Sequence, residues 1–573
     1  MPSVARKHPE AASLLKRAWV PFALIVLASA LAHLWCLGSQ FYMDDMGQIR
    51  DNPLLPEGVF WKNTLLMWTN LSYVVQYKLF GISPVGYHAV NWLLHTSVAC
   101  ALFALGRDFL RGRAPEGVAL FGAVLFAVHP LASEIPNYAR TQDLAWVTLF
   151  SLLASWALLL YLRDGGWRKL VWTALGIVGA TLSKGPGLFH ALMMVGAVGL
   201  ASMKPEHWKL LRRRGWIAGL FVLTGICALW ATGTLGHLYA ATAKWHQPRF
   251  IGHAYTLARV FWEFAWRAVI PIKLCSDHQI AETMVPPGSG WFSIPDTTAM
   301  WAAAGMLGLT AASLVLAWRK PTRVFGVCLF LFVATILFRM AYVINEFMPE
   351  YRIYPGMPWF CLGAAILLWW IWHSSLGNLS PRVPAALLIA LFAYLSARRS
   401  FVWHSLDRLC ANELAQYPGQ GRAVWELQDR DIHHGDWQAV IDRQQHVWPR
   451  VFSHFMEENR NISPARDLNS GNFTLADVAC RADCAIALSH LNGPSAGIAA
   501  IQNLELFMKQ NHWDKVNQHL HWTYIYKAEE RILEDSGNNQ AALDFVRNDD
   551  IECFPENEAE RLERKLKEQP NPK

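Results

Sequence analysis

The chain has 573 residues, of which 53% are hydrophobic and 17% charged, and its net charge is +7. Soluble domains carry about 25% charged residues, so the balance points to a membrane protein. The positive charge is modest and spread along the chain, which argues against a nucleic-acid partner and fits loop Lys and Arg facing an anionic leaflet. Trp is frequent, at 28 residues. Trp collects at bilayer interfaces and also stacks on sugars, so this enrichment alone does not choose a function.

In chain order, residues 1–18 form a polar tail with Arg6, Lys7, Lys16 and Arg17. Apolar runs of about 15–22 residues, several of them short for the roughly 20 that cross a hydrocarbon core, then recur to residue 398. The spans are 19–37, 87–106, 117–132, 143–162, 170–184, 188–203, 216–236, 297–318, 324–343, 357–373 and 383–398. The sequence therefore predicts an all-α polytopic membrane domain over 19–398 with about eleven transmembrane helices. The stretch 254–274 is apolar but carries Arg259, Glu263 and Arg267 at spacings of four. That spacing predicts an interfacial or re-entrant helix with its charges on one face.

Lys and Arg mark the orientation. The tail, Arg107/Arg111/Arg113, Arg163/Arg168/Lys169, Lys209/Arg212/Arg213/Arg214 and Arg319/Lys320/Arg323 all fall on one side. That side is assigned as cytoplasmic, which places the loop after the first helix and everything beyond 398 outside. The first helix is too long for a typical cleaved signal peptide and reads as a retained anchor.

Residues 399–573 are polar and read as a helical extracytoplasmic domain. Trp425–Val447 looks like two short helices joined at His434-Gly435, a degenerate helical-hairpin repeat resembling a tetratricopeptide unit. Cys410, Cys480, Cys484 and Cys553 lie here. In an oxidising compartment they predict one or two disulfides, although Cys480 and Cys484 stand one helical turn apart, which suits a mutual bridge poorly. The tail after about 555 is charged and is expected to fray.

The expected outer loops hold the residues capable of chemistry. Phe41–Pro53, FYMDDMGQIRDNP, carries Asp44 and Asp45; His129–Asp143 carries His129, Glu134, Arg140 and Asp143; Lys184 closes a helix. Pro271–Gln279 carries Asp277 and His278, and Asn345–Pro358 carries Glu346, Glu350, Arg352 and Tyr354. Each has an ordinary structural reading: Lys184 as a snorkelling side chain, His129-Pro130 as a helix stop, Glu350 and Arg352 as a surface ion pair. Their convergence at one membrane depth is the stronger signal, because ionisable groups there are costly unless they line a polar site. Cations at the headgroup plane suit a lipid phosphate. A carboxylate facing them suits a general base that takes a hydroxyl proton as oxygen attacks an anomeric carbon. A phosphate leaving group requires no general acid. No cofactor or metal is obligatory for this chemistry, a divalent metal is compatible with it, and no metal-ligand set is assigned.

These residues, with Gly81–His95 (GISPVGYHAVNWLLH), HPLASEIPNYARTQDLAW, LSKGPG, IPIKLCSDH and EYRIYPGMPW, resemble the GT-C superfamily of polytopic glycosyltransferases. The chain is similar to its transmembrane-and-tetratricopeptide mannosyltransferase branch and to bacterial type IV pilin glycosyltransferases, including the pilin arabinosyltransferase. The resemblance implies a polyprenyl-phosphate-linked sugar donor and an inverting transfer to the Ser or Thr hydroxyl of an extracytoplasmic protein such as a pilin. It also implies Asp44 as base, Asp45 as its partner, and the remaining residues named above around the substrates. It implies a bacterial inner membrane with a periplasmic C-terminal domain. Gly185 and the position of Arg352 depart from the family pattern. A flippase for polyprenyl-linked sugars and a transferase acting on lipid A or a cell-wall glycan remain the alternatives.

Overall fold

The computed structural model describes residues 18–207, 248–278, 296–341, 347–375, 380–458, 472–510, 519–548 and 558–568, with a few single positions between. The chain divides into two compact units, 1–405 and 406–573. The boundary falls a few residues later than the sequence placed it, because the helix Arg382–Val402 continues past 398.

The first unit is built from α1 (Val20–His33), α2 (Met67–Phe80), α3 (Pro84–Phe109), α4 (Glu116–Ala127), α5 (Glu134–Asn137), α6 (Gln142–Asp164), α7 (Trp167–Ser183), α8 (Gly187–Ser202), α9 (Pro248–Val269), α10 (Thr297–Trp318), α11 (Arg323–Leu337), α12 (Met357–Ser375) and α13 (Arg382–Val402). Among the described residues, seven helical segments are long and apolar enough to cross a membrane. The bent pair Glu116–Ala127 and Pro130–Asn137, angled at 56°, makes an eighth. The protein is an all-α polytopic membrane protein. The other expected spans include α7, α8 and one that lies outside the described residues. At 17 and 16 residues, α7 and α8 are short for a full crossing, which takes about 20 residues. The expected span 216–236 lies outside the described residues, as do the N-terminal basic residues and the Lys209–Arg214 loop.

Local signals set the boundaries. Pro84 opens α3 behind Ser83, where its missing N–H costs nothing. Gly165 and Gly166, both at positive φ, separate α6 from α7. The pair α6 and α7 packs closely: a Cβ on Gly176 would stand 2.8 Å from Ala154 Cβ, the small-residue contact that membrane helices favour. Large side chains point outward over the same unit, including Trp172, Trp301, Trp318 and Leu387, as expected where hydrocarbon is the solvent. The helix α9 buries Leu257, Ala258, Phe261 and Phe264 along one face and packs on α10 and α11. Its Arg267 is buried and pairs with Glu263 one turn earlier.

A two-residue antiparallel ladder, β1 (Asp277–His278) with β2 (Met348–Pro349), pairs Asp277 with Pro349 and His278 with Met348. It joins two loops that the sequence treats separately. The 3₁₀ segment Glu350–Gly356 follows and leads into α12.

The second unit is helical: α14 (Leu406–Gln416), α15 (Gly421–His434), α16 (Trp437–Asp442), α17 (Trp448–Glu458), α18 (Asn472–Asn492), α19 (Pro494–Gln510), α20 (His519–Asp535), α21 (Asn539–Arg547) and α22 (Glu558–Glu568). The hairpin read at His434-Gly435 recurs. Gly435 closes α15 at φ 72°, and Asp436 caps α16 by accepting from Ala439 N. Gly537 follows α20 at φ 80°, and Asn538 caps α21 by accepting from Ala541 N. Glycine alone takes that left-handed turn cheaply. Ile432, Val440, Val478, Ile501, Trp522 and Ile532 share one core. The expected frayed tail is instead α22, whose Leu562 is fully buried against Ala542, Leu543 and Val546. Cys410, Cys480 and Cys484 are free thiols, and none of them forms a disulfide. Cys480 packs with Trp448 while Cys484 packs with the other core, so the two face different neighbours.

Gly537→Ala is expected to cost about 1 kcal/mol through the left-handed turn, and Asn538→Ala about 1 kcal/mol through the lost cap. Thermal unfolding read by reactivity of the buried Cys480 thiol should show both variants exposing it at lower temperature than wild type.

Candidate functional site

The loop after α1 turns sharply at Met43, whose φ is +53°, and delivers two adjacent carboxylates into unlike surroundings. Asp45 is fully buried. Its Oδ1 accepts the Arg140 backbone N–H at 2.7 Å, and the Tyr42 N–H lies 3.4 Å from its Oδ2. Burial pushes its carboxyl up to about 8, against the lowering by the Arg140 and Tyr42 N–H groups. The Asp44 side chain is 43% exposed, and its Oδ2 lies 3.1 Å from Arg140 Nε. The Asp44 N–H donates to the Tyr138 hydroxyl at 3.1 Å.

From Asp44 a run of alternating charge crosses the site. Arg140 stands 3.8 Å from Asp143, and Asp143 stands 2.5 Å from Lys184 Nζ. The Lys184 ammonium lies 5.8 Å from the centre of the Tyr351 ring, and the Arg352 guanidinium 5.7 Å from it, distances at which a cation is attracted by the ring face. Residues from four sequence-distant segments, 44–45, 138–143, 184 and 351–352, therefore meet. Asp44, Arg140, Lys184 and Arg352 are the ones with surface left for a ligand.

A buried amide network holds the middle of this run. Asn91 Nδ2 donates to the carbonyls of Ile135, Tyr138 and Ala139 at 2.8, 2.9 and 3.3 Å. Gln142 Nε2 donates to Asn91 Oδ1 at 2.8 Å, and Ser72 and Gln76 donate to Gln142 Oε1. The Tyr73 hydroxyl bonds the Arg140 carbonyl at 3.0 Å. On the Lys184 side, the Thr69 hydroxyl donates to the Ser183 carbonyl at 2.8 Å. The sequence reading missed Asn91, Gln142, Tyr138 and Tyr351. Asn91 and Gln142 had a signal: an amide inside an apolar helix must find polar partners.

Other expected site residues lie elsewhere. Glu350 is fully buried; its Oε1 accepts from Cys275 N at 2.7 Å and pairs with His278 Nε2 at 2.8 Å. Its Oε2 lies 3.3 Å from Arg399, which also donates to the Leu274 carbonyl. Glu350 thus pairs with Arg399 and not with Arg352. Burial lowers the His278 imidazole from its ordinary value, opposed by Glu350. Tyr354 is buried in the bundle with its hydroxyl 2.9 Å from His95 Nδ1. His129 accepts the Leu131 N–H at Nδ1 and bonds the Ala268 carbonyl through Nε2, which makes it a cap at the break after α4. Glu134 Oε2 accepts the Tyr351 N–H at 2.6 Å, so it ties two loops together. Asp277 contributes backbone to the ladder, while its side chain and Glu346 lie outside the described residues. Among the described residues no group of three or more His, Cys, Asp or Glu is arranged to hold a metal ion.

The chain matches no family model. It is similar to a protein O-mannosyl-transferase of Caenorhabditis elegans, 24% identical over 447 residues, which cover 70% of this chain and 59% of that relative. Protein O-mannosyl-transferase Tmtc1 of Drosophila melanogaster is 33% identical over 127 residues, 22% of this chain and 14% of the fly protein. Protein O-mannosyl-transferase TMTC1 of Mus musculus is 31% identical over 151 residues, 23% of this chain and 16% of the mouse protein. The chain thus spans less than two thirds of the length of these relatives. The likeness is to the transmembrane-and-tetratricopeptide O-mannosyl-transferase branch, and it carries nothing about pilin glycosyltransferases.

Two outcomes follow for the site's stability. Asp45 has a folded value of about 8 against an ordinary 3.8, so the folded state holds its proton more tightly than the unfolded state. Stability from this residue is full below about pH 4, falls as pH rises towards 8, and changes no further above that. Asp45→Asn should flatten that slope in thermal melts taken across the window. Glu350→Ala strands Arg399 and His278 in the interior and is expected to cost about 3–5 kcal/mol, seen as a lower transition temperature of the purified protein.

Proposed function

We propose that the chain is a membrane glycosyltransferase that moves a sugar from a polyprenyl-phosphate donor to a Ser or Thr hydroxyl of a protein, on the non-cytosolic face of the membrane. The observation that carries this reading is the half-exposed Asp44 carboxylate set 3.1 Å from Arg140 in a charge run that ends on Lys184. The names of the relatives, which are O-mannosyl-transferases from animals, support a hexose such as mannose and a protein acceptor. Those relatives lend nothing to the expected bacterial inner membrane or pilin acceptor.

In this reading Asp44 accepts the acceptor's hydroxyl proton as the oxygen attacks the anomeric carbon. The bond from that carbon to the phosphate oxygen breaks, and the lipid phosphate leaves. Arg140, Lys184 and Arg352 bind the phosphate and offset the charge it gains. Asp143 bridges Arg140 and Lys184 and keeps the two cations apart and oriented. A cleft of about 400 Å³ in the same unit, lined by Leu125, Phe332, Trp359, Phe360, Leu367 and Phe392 with His129 as its polar group, suits a hydrocarbon chain and supports a lipid-linked donor.

The test is transfer of labelled sugar from a polyprenyl-phosphate donor to a Ser/Thr peptide by purified protein in liposomes. Asp44→Asn should lower the rate at least about 100-fold, the scale of a lost general base, with the melting temperature retained. Wild-type protein that carries the donor across the bilayer without breaking its sugar bond would replace this reading with the flippase. An Asp44→Asn variant at the full rate would remove Asp44 from the chemistry.

A further inference from the structure

The two adjacent aspartates do different work. Asp44 is the exposed member. Asp45 is sealed from solvent, and its oxygens face the backbone N–H groups of Arg140 and Tyr42. Arg140 meets both: its backbone N–H bonds Asp45 at 2.7 Å, while its guanidinium reaches Asp44 at 3.1 Å. A shift of Asp45 against residue 140 therefore changes where Asp44 stands relative to that guanidinium. Two further contacts clamp the same pair of segments. The Tyr138 hydroxyl takes the Asp44 N–H, and Ala139 packs into a cluster with Phe41, Ile49, Leu55, Tyr73 and Tyr87. The loop also holds Met43 in a left-handed conformation, which is unfavourable for a non-glycine residue and persists only where neighbours over-determine it. The turn is held by backbone bonds from Asp45 N to the Tyr42 carbonyl at 2.9 Å and from Met46 N to the Met43 carbonyl at 3.1 Å.

We propose that Asp45 is a positioning residue: it fixes the acidic loop on the Arg140 backbone and so sets the base Asp44 against the Arg140 guanidinium, without itself exchanging a proton with the acceptor. This rests on the transferase reading for its kinetic consequence but not for the contact itself. A misplacement on the order of 1 Å is enough to cost about 100-fold in rate. An amide at residue 45 keeps one carbonyl oxygen for the Arg140 N–H; a methyl keeps none.

The experiment uses full-length protein in liposomes with Asp45→Ala and Asp45→Asn. The Ala variant should lose about 10–100-fold in kcat with the donor KM changed by less than about threefold, since misorientation acts on the chemical step. The Asn variant should recover to within about tenfold of wild type, because the retained oxygen restores the anchor. An Asn variant as slow as the Ala variant, or an Ala variant as fast as wild type, overturns the proposal. Amide hydrogen exchange supplies a readout independent of turnover. In Asp45→Ala the Arg140 and Tyr42 amides should exchange faster while those of α3 do not change. Unchanged exchange at Arg140 overturns the contact. Wild-type protein that transfers no sugar overturns the transferase reading, and the exchange data alone then decide the positional claim.

Discussion

The bond from the Arg140 backbone N–H to the buried Asp45 carboxyl group is the constraint on which the site depends. It joins segments 95 positions apart in sequence and brings the exposed Asp44 beside a guanidinium. Without it, the loop after α1 is a polar excursion with a strained residue at Met43. With it, Asp44, Arg140, Asp143 and Lys184 form one continuous run of opposite charges. The low-dielectric surroundings make such a run costly unless every member is paired, and here each charge has an opposite neighbour.

The second constraint is backbone satisfaction beside a membrane. Between the break at His129 and the start of α6 the chain runs through short, irregular turns, which leave carbonyls without helical partners. Asn91 covers three of them with one amide group, and Gln142, Gln76 and Ser72 complete the network. Irregular buried backbone is tolerated only where other groups satisfy it. The same network fixes the Ala139 carbonyl, and the Tyr73 hydroxyl fixes that of Arg140, so the guanidinium springs from a rigid base. Glu134 does comparable work from the other side by accepting the Tyr351 N–H, which holds the Tyr351 ring between Lys184 and Arg352.

Much of this was legible in the sequence, and the losses have definite causes. Apolar windows located the helices because hydropathy reports directly on a hydrocarbon environment. Two of the apolar windows, α7 and α8, form helices of only 17 and 16 residues. The acidic pair was visible, but nothing local separates Asp44 from Asp45; their difference in burial is set by residues 138–140. Glu350 and Tyr354 read as loop residues facing a substrate. The 3₁₀ geometry of Glu350–Gly356 turns both inward and leaves Arg352 the half-buried member. The partner of Glu350 is Arg399 on α13, which lies in a stretch read only as the end of a span. In the second unit a single hairpin copy was recognisable at Gly435. Its companion at Gly537 escaped notice because Asn538-Asn539 replaces Asp436-Trp437, although the turn geometry is the same.

The central claim is the adjacency of residues 44 and 140, and paired-cysteine cross-linking in liposomes tests it most directly. With Asp44→Cys and Arg140→Cys combined in full-length protein, a bifunctional thiol reagent of about 8 Å, within reach of two flexible side chains whose parent groups touch, should link them rapidly. The single variants should give no internal link at those positions. A pair that stays unlinked while both thiols react with a monofunctional reagent would contradict the account, because residues 44 and 140 would then belong to separate surfaces.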